Sequence, residues 1–376
     1  MKKTVSITAM AVAVAALFGC EQFSTSYQRI DDSEFRMLKY IWEPTDAAPG
    51  DTITLTAVFA GKRKDDLRND LDWLVSFNVI RDLFGNTTVV DSDPFNAKWE
   101  WRPVVFSPNT QAIEFKIQVP DSIVRKSASI PEDWADALPA QLKNALPAGF
   151  ASMTKTQIVD TIEFYADTQN IKNIRPEIAG ALIPILQYFT VPMRVFTKMR
   201  EPGRLPHTIV STQYIRYNNR FKKIGVPVNN IPIVDKVVVY KVKGDVSSID
   251  DKSGVTIADS TTFIGNDTVI TVEKGYSYFL DAISNNIDTS VTMNGNKILE
   301  KHRIYRQFQL DKNEIAGIHH SKYMTVNNLN GKITMPADKN ITKFIFWLTV
   351  YDEVQNERLR PPGETLVERS GRLEYK

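Results

Sequence analysis

The sequence predicts a mainly β protein: two antiparallel β-sandwiches with a helical insert between them. Three observations carry this. Short runs of alternating or β-branched residues, punctuated by Pro, Gly and Asn, fill residues 36–120 and recur over 205–376. Residues 121–204 change to an apolar spacing near four with helix-start signals. Hydrophobic residues make up 43% and charged residues 24% of the 376, which excludes disordered and collagen-like chains.

The chain opens on Lys2 and Lys3, an uncharged Ala- and Val-rich run from Thr4 to Phe18, and then Gly19-Cys20. A charged start, a short apolar stretch and a small residue before the cut predict a secretory signal over residues 1–19. A membrane span would need about 20 apolar residues. Leu17-Phe18-Gly19-Cys20 resembles the bacterial lipobox, with Leu at −3, a small residue at −1 and Cys at +1; Phe18 is bulkier than usual at −2. The resemblance implies cleavage before Cys20, a diacylglyceryl thioether on its sulfur and a further acyl chain, of the palmitate type, on its new amine. Glu21 stands where Asp favours inner-membrane retention in proteobacterial lipoproteins, so the resemblance implies the outer membrane, on its periplasmic or its cell-surface face. The polar residues 20–35 read as a tether.

Cys20 is the sole cysteine, so neither an intrachain disulfide nor a cysteine-built zinc site can form. The formal net charge is +2, and removal of residues 1–19 takes away two lysines and no acid. The mature body is then formally neutral, which argues against a nucleic-acid partner and against electrostatic membrane docking. Attachment would come from the acyl chains.

In the N-terminal sandwich, Met37 to Trp42 is a first extended run. Pro49-Gly50-Asp51 is a turn, and Thr52 to Phe59 alternates as a half-buried strand. Trp73 to Ile80, Thr87 to Val90 and Ala112 to Val119 follow. The tract from Pro49 to Ala57 resembles the second-strand entry of immunoglobulin-like modules in bacterial surface proteins, although the cysteine pair and central Trp of antibody domains are absent as a set.

The middle region predicts a helix entered at Ser129 or Ile130, with Trp134, Leu138, Leu142 and Leu146 on one face. Thr154-x-x-Gln157 predicts a second helix opened by a capping box. Ile178 to Met193 is uncharged but broken by Gly180, Pro184 and Pro192, and is expected to dock against a sandwich. In the C-terminal sandwich the strands read as Thr208–Tyr217, Val234–Val242, Thr268–Val272, Tyr276–Ile283, Arg303–Leu310 and Ile341–Tyr351. The nearly continuous apolar run from Phe344 to Val350 predicts a central strand buried on both faces. Ser370-Gly371 predicts the turn of a terminal hairpin.

Chemistry is sparse. No nucleophile elbow, P-loop, dinucleotide fingerprint or zinc-protease motif occurs. His319-His320 would point to opposite faces of a strand, and the acids at 65–72 and 250–251 lack the ligand pattern of a calcium loop. The expectation is therefore no catalytic residue, no metal and no cofactor. Trp99 and Trp101 flank Glu100 and would share one strand face, as core or edge packing or as a stacking platform for sugar rings. The function expected is a non-enzymatic, lipid-anchored binding or structural module of the cell envelope with a protein or polysaccharide partner. The alternative is a carbohydrate-binding protein or carbohydrate-active enzyme on the cell surface.

Overall fold

The computed structural model describes residues 35–61, 71–77, 79–81, 87–89, 101–127, 130–138, 140–199, 207–226, 228–247, 249, 252–265, 267–284, 289–290, 300–301, 303–311, 331–333, 335–353 and 364–376. Cys20, Trp99, His319-His320 and the acids at 65–70 and 250–251 lie outside them.

The first half carries β1 (Phe35–Glu43), β2 (Thr52–Gly61), β3 (Leu71–Ser76), the short pair β4 (Val79–Arg81) and β5 (Thr87–Val89), β6 (Trp101–Ser107) and β7 (Thr110–Gln118). After a helical stretch come β8 (Val191–Met199) and β9 (His207–Ile215). One antiparallel sheet runs β1-β2-β7-β6 and another β3-β8-β9. Lettered in chain order with the short β4–β5 pair left out, these are strands A-B-E-D and C-F-G, the two sheets of an immunoglobulin-type sandwich. A parallel bridge from Ala47 to Ile215 ties the chain that follows β1 to the end of β9.

The two sheets meet because the alternation of β2 sends Ile53, Leu55, Ala57 and Phe59 to one face. Phe115 of β7, Val75 of β3 and Val195 of β8 join them in one core, where Trp73 and Phe115 touch edge-on at 4.3 Å. The turn before β2 requires its glycine, because Gly50 has φ 81, in the left-handed region that other residues rarely adopt.

The strand expected to open the second sandwich at residue 208 instead completes the first. β9 pairs with β8 along its whole length, and β8 pairs with β3, so β8 and β9 belong with β3. Local alternation marks a strand but not its partner. Only the pairing shows that the helical stretch interrupts one sandwich, between β7 and β8.

That stretch holds α1 (Ile123–Lys126), α2 (Ala140–Ala145), α3 (Lys155–Ala166) and α4 (Pro176–Tyr188). Thr154 caps α3 reciprocally: its hydroxyl accepts from Gln157 N at 3.3 Å, and Gln157 Oε1 accepts from Thr154 N at 2.9 Å. α4 starts with Pro176 in its first turn, and it buries Ile178, Leu182, Ile185 and Leu186 in the same core as the sheets. The helix expected from residue 130 does not form. Residues 132–137 are turns, and Trp134 is buried with its indole N–H donating to Met153 O at 2.9 Å. Pro139 in the sequence disfavours the α conformation at Leu138, so the helix starts only at Ala140.

The second half begins after α5 (Asn218–Phe221). It comprises β10 (Lys236–Lys243), β11 (Ile257–Thr262), β12 (Thr268–Val272), β13 (Tyr276–Ile283), β14 (Thr289–Ser290), β15 (Glu300–Lys301), β16 (Arg303–Leu310), β17 (Gly331–Ile333), β18 (Lys343–Glu353) and β19 (Glu364–Tyr375). One sheet runs β11-β10-β13-β17 and the other β12-β19-β18-β16. β12 and β19 are parallel, and every other pair is antiparallel. The inner faces share Val239, Leu280, Phe346, Leu348 and Leu373 in a second core.

The expected terminal hairpin is instead one continuous strand of 12 residues. Gly371 is there for contact rather than for turning. A Cβ would sit 2.7 Å from the Phe344 ring, so the small residue lets the ring lie flat against the strand.

Candidate functional site

The most built-up place on the molecule is where the two sandwiches meet. β18 is buried on both faces, as its apolar run predicts. Phe344, Phe346, Leu348 and Val350 point into the second core, while Trp347 points the other way, with Ile345 on its side. Val58 and Ala60 of β2 and Ala112 of β7 point out of the first core and meet Trp347 and Leu366, with Leu38, Ile41, Val104 and Phe106 packed around them. The outer face of one sheet thus becomes the bed for the outer face of the other.

At the rim of this contact stands Glu368, on β19 directly opposite Trp347 on β18 and only 7% exposed. Its carboxylate accepts from the Trp347 indole N–H at 3.1 Å and from the Asn109 side-chain amide at 2.8 Å. It also accepts from Asn109 N at 3.3 Å and from the Ser107 hydroxyl. Ser107 and Asn109 bracket the turn between β6 and β7, so one carboxylate gathers donors from both sandwiches. Four bonds satisfy it as a buried charge requires. No sequence signal singles out Glu368; an acid in a strand reads as solvent-facing.

Beside this contact lies a cleft of about 290 Å³. Phe59 to Gly61 and the turn at 108–111 line it from the first sandwich, and Asp311, Ile345 and Trp347 from the second. Asp311 is fixed at its mouth. Its Oδ1 accepts from Ile345 N at 2.7 Å, and its own N–H donates to Ile345 O at 3.0 Å.

Two other polar clusters are structural. Asp46 and Arg216, both essentially unexposed, pair at 3.1 Å, and Asp46 accepts from Asn229 N. Thr45 Oγ1 donates to Asn229 O at 2.6 Å, so this cluster holds the connection between the halves against the first sandwich. On the helical side, Arg125 bridges Asp160 at 2.7 Å and Glu163, and Glu163 accepts from the Tyr217 hydroxyl at 3.1 Å. Those carboxylates hold the Arg125 guanidinium above its ordinary range, and burial, then Glu163, pushes the Tyr217 phenol up.

Of the residues singled out by sequence, Trp101 opens β6 opposite Phe115, at the far end of the β6–β7 hairpin from the cleft. Trp42 and Trp347 are buried, and Trp73 is packed against the first core. Among the described residues, no group of three or more His, Cys, Asp or Glu could hold a metal ion, and no helix is long and apolar enough to cross a membrane.

No family model matches the chain, and no curated protein matches it. Among solved structures the chain is similar to the collagen adhesin of S. aureus, at 7% identity over 92% of this chain and 95% of that one. The TM-score is 0.10, a level at which the likeness carries no argument about fold or function.

Proposed function

We propose that the chain is a lipoprotein of the bacterial cell envelope. In this reading it is anchored in the outer membrane through acyl chains on Cys20 and presents a stiff body of two β-sandwiches as a non-enzymatic binding or structural module. The observation that carries the reading is the placement of the one cysteine in 376 residues at the +1 position of Leu17-Phe18-Gly19-Cys20. A body with no thiol of its own suits an oxidising compartment. The junction supports the second half of the proposal. Its buried carboxylate, Glu368, holds the Trp347 indole of its own sandwich and the Asn109 amide and Ser107 hydroxyl of the other, which is a use of polar groups that fixes a shape. Two or three acyl chains give stable anchoring where one does not.

Membrane fractionation tests the reading. The wild-type chain is expected in the outer-membrane fraction, resistant to salt and released by detergent. The Cys20→Ser chain is expected either released from the membrane or held as an uncleaved precursor. Release of the wild type by salt alone would contradict an acyl anchor.

A further inference from the structure

The chain holds three Asn-x-Thr tripeptides, at 86–88, 266–268 and 340–342. In an exported protein this is the acceptor pattern for a glycan on the asparagine, and it calls for a surface loop. Asn340-Ile341-Thr342 is the one whose asparagine lies among the described residues.

Its setting meets the requirement. Residues 337–340 are exposed in a row, in the turn that leads to β18 at Lys343. Asp338 holds that turn. Its Oδ1 accepts from Asn340 N at 2.9 Å, and its main-chain O accepts from Ile341 N at 3.1 Å. Both bonds use main-chain N–H groups, so neither depends on the Asn340 carboxamide. Thr342 is half-buried, and its carbonyl accepts from Leu373 N at 2.7 Å, so the exposed turn becomes sheet at this residue. Phe344, four residues after Asn340, is already in the second core. A bulky group on Asn340 would therefore stand in solvent and displace no packed side chain.

The nucleophile sets the donor. A carboxamide nitrogen shares its lone pair with the carbonyl, by the resonance that keeps the peptide bond planar, and is a weak nucleophile. The sugar must then arrive on a good leaving group, and a lipid diphosphate is one. We propose that Asn340 is a glycan attachment site, loaded from a sugar chain carried on a lipid diphosphate. Asn340 Nδ2 bonds to the anomeric carbon as the bond from that carbon to the diphosphate oxygen breaks. The electron pair of the broken bond leaves with the diphosphate, and one Nδ2 proton passes to a base, with no oxidation or reduction. The proposal rests on the reading of residues 1–19 as a secretory signal, since such transfer takes place on exported chains.

Mass spectrometry of the full chain, purified from the envelope of its own cells, tests it. Wild type, Asn340→Gln, Thr342→Ala and Thr342→Ser are compared, each read at its N-terminal peptide and at the peptide spanning 337–344. Whole sugar residues are expected on Asn340 in wild type and Thr342→Ser, and none in Asn340→Gln or Thr342→Ala. Unfolding midpoints are measured alongside. Asn340→Gln keeps both main-chain bonds of the turn, so it carries the test if Thr342→Ala fails to fold. A mature wild-type chain with a bare Asn340 overturns the site and leaves the export reading standing. A bare chain that still carries residues 1–19 overturns both. A glycan on this peptide that persists in Asn340→Gln overturns the assignment to Asn340.

Discussion

Replacing Glu368 by alanine should loosen the junction without touching either core. The side chain is 7% exposed and accepts from Trp347 Nε1, Asn109 N, Asn109 Nδ2 and Ser107 Oγ. The indole is the expensive partner. Trp347 is 3% exposed and, among the described residues, Glu368 is the acceptor bonded to its N–H, so stranding that donor costs about 1–3 kcal/mol. Ser107 is half-buried and Asn109 exposed, so their donors can recruit water and lose only the surplus of a charged acceptor, about 1 kcal/mol together. Removing a buried charge returns part of this as relieved desolvation. The net expectation is a loss of about 2–3 kcal/mol. Glu368→Gln, which keeps one acceptor oxygen but turns an N–H₂ toward donors, should fall between. Urea unfolding followed by tryptophan fluorescence gives the stability change, and calorimetry shows whether the two sandwiches still melt together. Two separated transitions in Glu368→Ala against one in wild type are expected. An unchanged midpoint with an unchanged single transition would refute the latch.

Three further outcomes follow from single contacts. Gly371→Ala should destabilise by about 1–3 kcal/mol, because its Cβ would lie 2.7 Å from the Phe344 ring in a packed core; a midpoint equal to wild type would show that the ring yields freely. Thr154→Ala removes the capping box of α3 and should cost about 1 kcal/mol, read as faster amide exchange in the first turn of the helix and a lower midpoint. The Lys241–Glu273 pair, 2.8 Å apart on the surface, sets a pH window. The hydrogen bond from Lys241 holds the Glu273 carboxyl below its ordinary 4.5, so its contribution is present above that value and fades as pH falls through the lowered one. The same bond holds the Lys241 ammonium above its ordinary 10.5, so its contribution is present below that value and fades as pH rises through the raised one. Lys241→Met should therefore flatten both flanks of a plot of midpoint against pH, and flanks as steep as wild type would count against the pair.

Much of the architecture was legible because its signals are local. Thr154 and Gln157 announce a helix start through side chains three residues apart, and the structure places the capping box there. The nearly continuous apolar run of β18 announces burial on two faces, and the faces prove to be the second core and the junction. Partnership is not local. Nothing within Thr208–Tyr217 says that its neighbour is β8 rather than a strand of the second half, since alternation defines a face and not a register. Gly371 reads as a turn when the ring beside it, Phe344, lies on another strand. The junction did leave a trace. The alternation of β2 lapses at Ala57-Val58-Phe59-Ala60, where no polar residue faces outward, because Val58 and Ala60 are covered by the other sandwich. Glu368 left none, since its role is created by donors 259 and 261 residues away.

The reading of this chain as a membrane-anchored envelope protein stands or falls at one atom, the sulfur of Cys20. Cells expressing the wild-type chain or Cys20→Ser are fed labelled palmitate, and the mature N-terminal peptide is weighed by mass spectrometry. The predicted result is label in the wild type alone, with a mature chain beginning at Cys20 and carrying a diacylglyceryl group. A wild-type chain that begins elsewhere with an unmodified cysteine, or equal label in the Cys20→Ser chain, would contradict it.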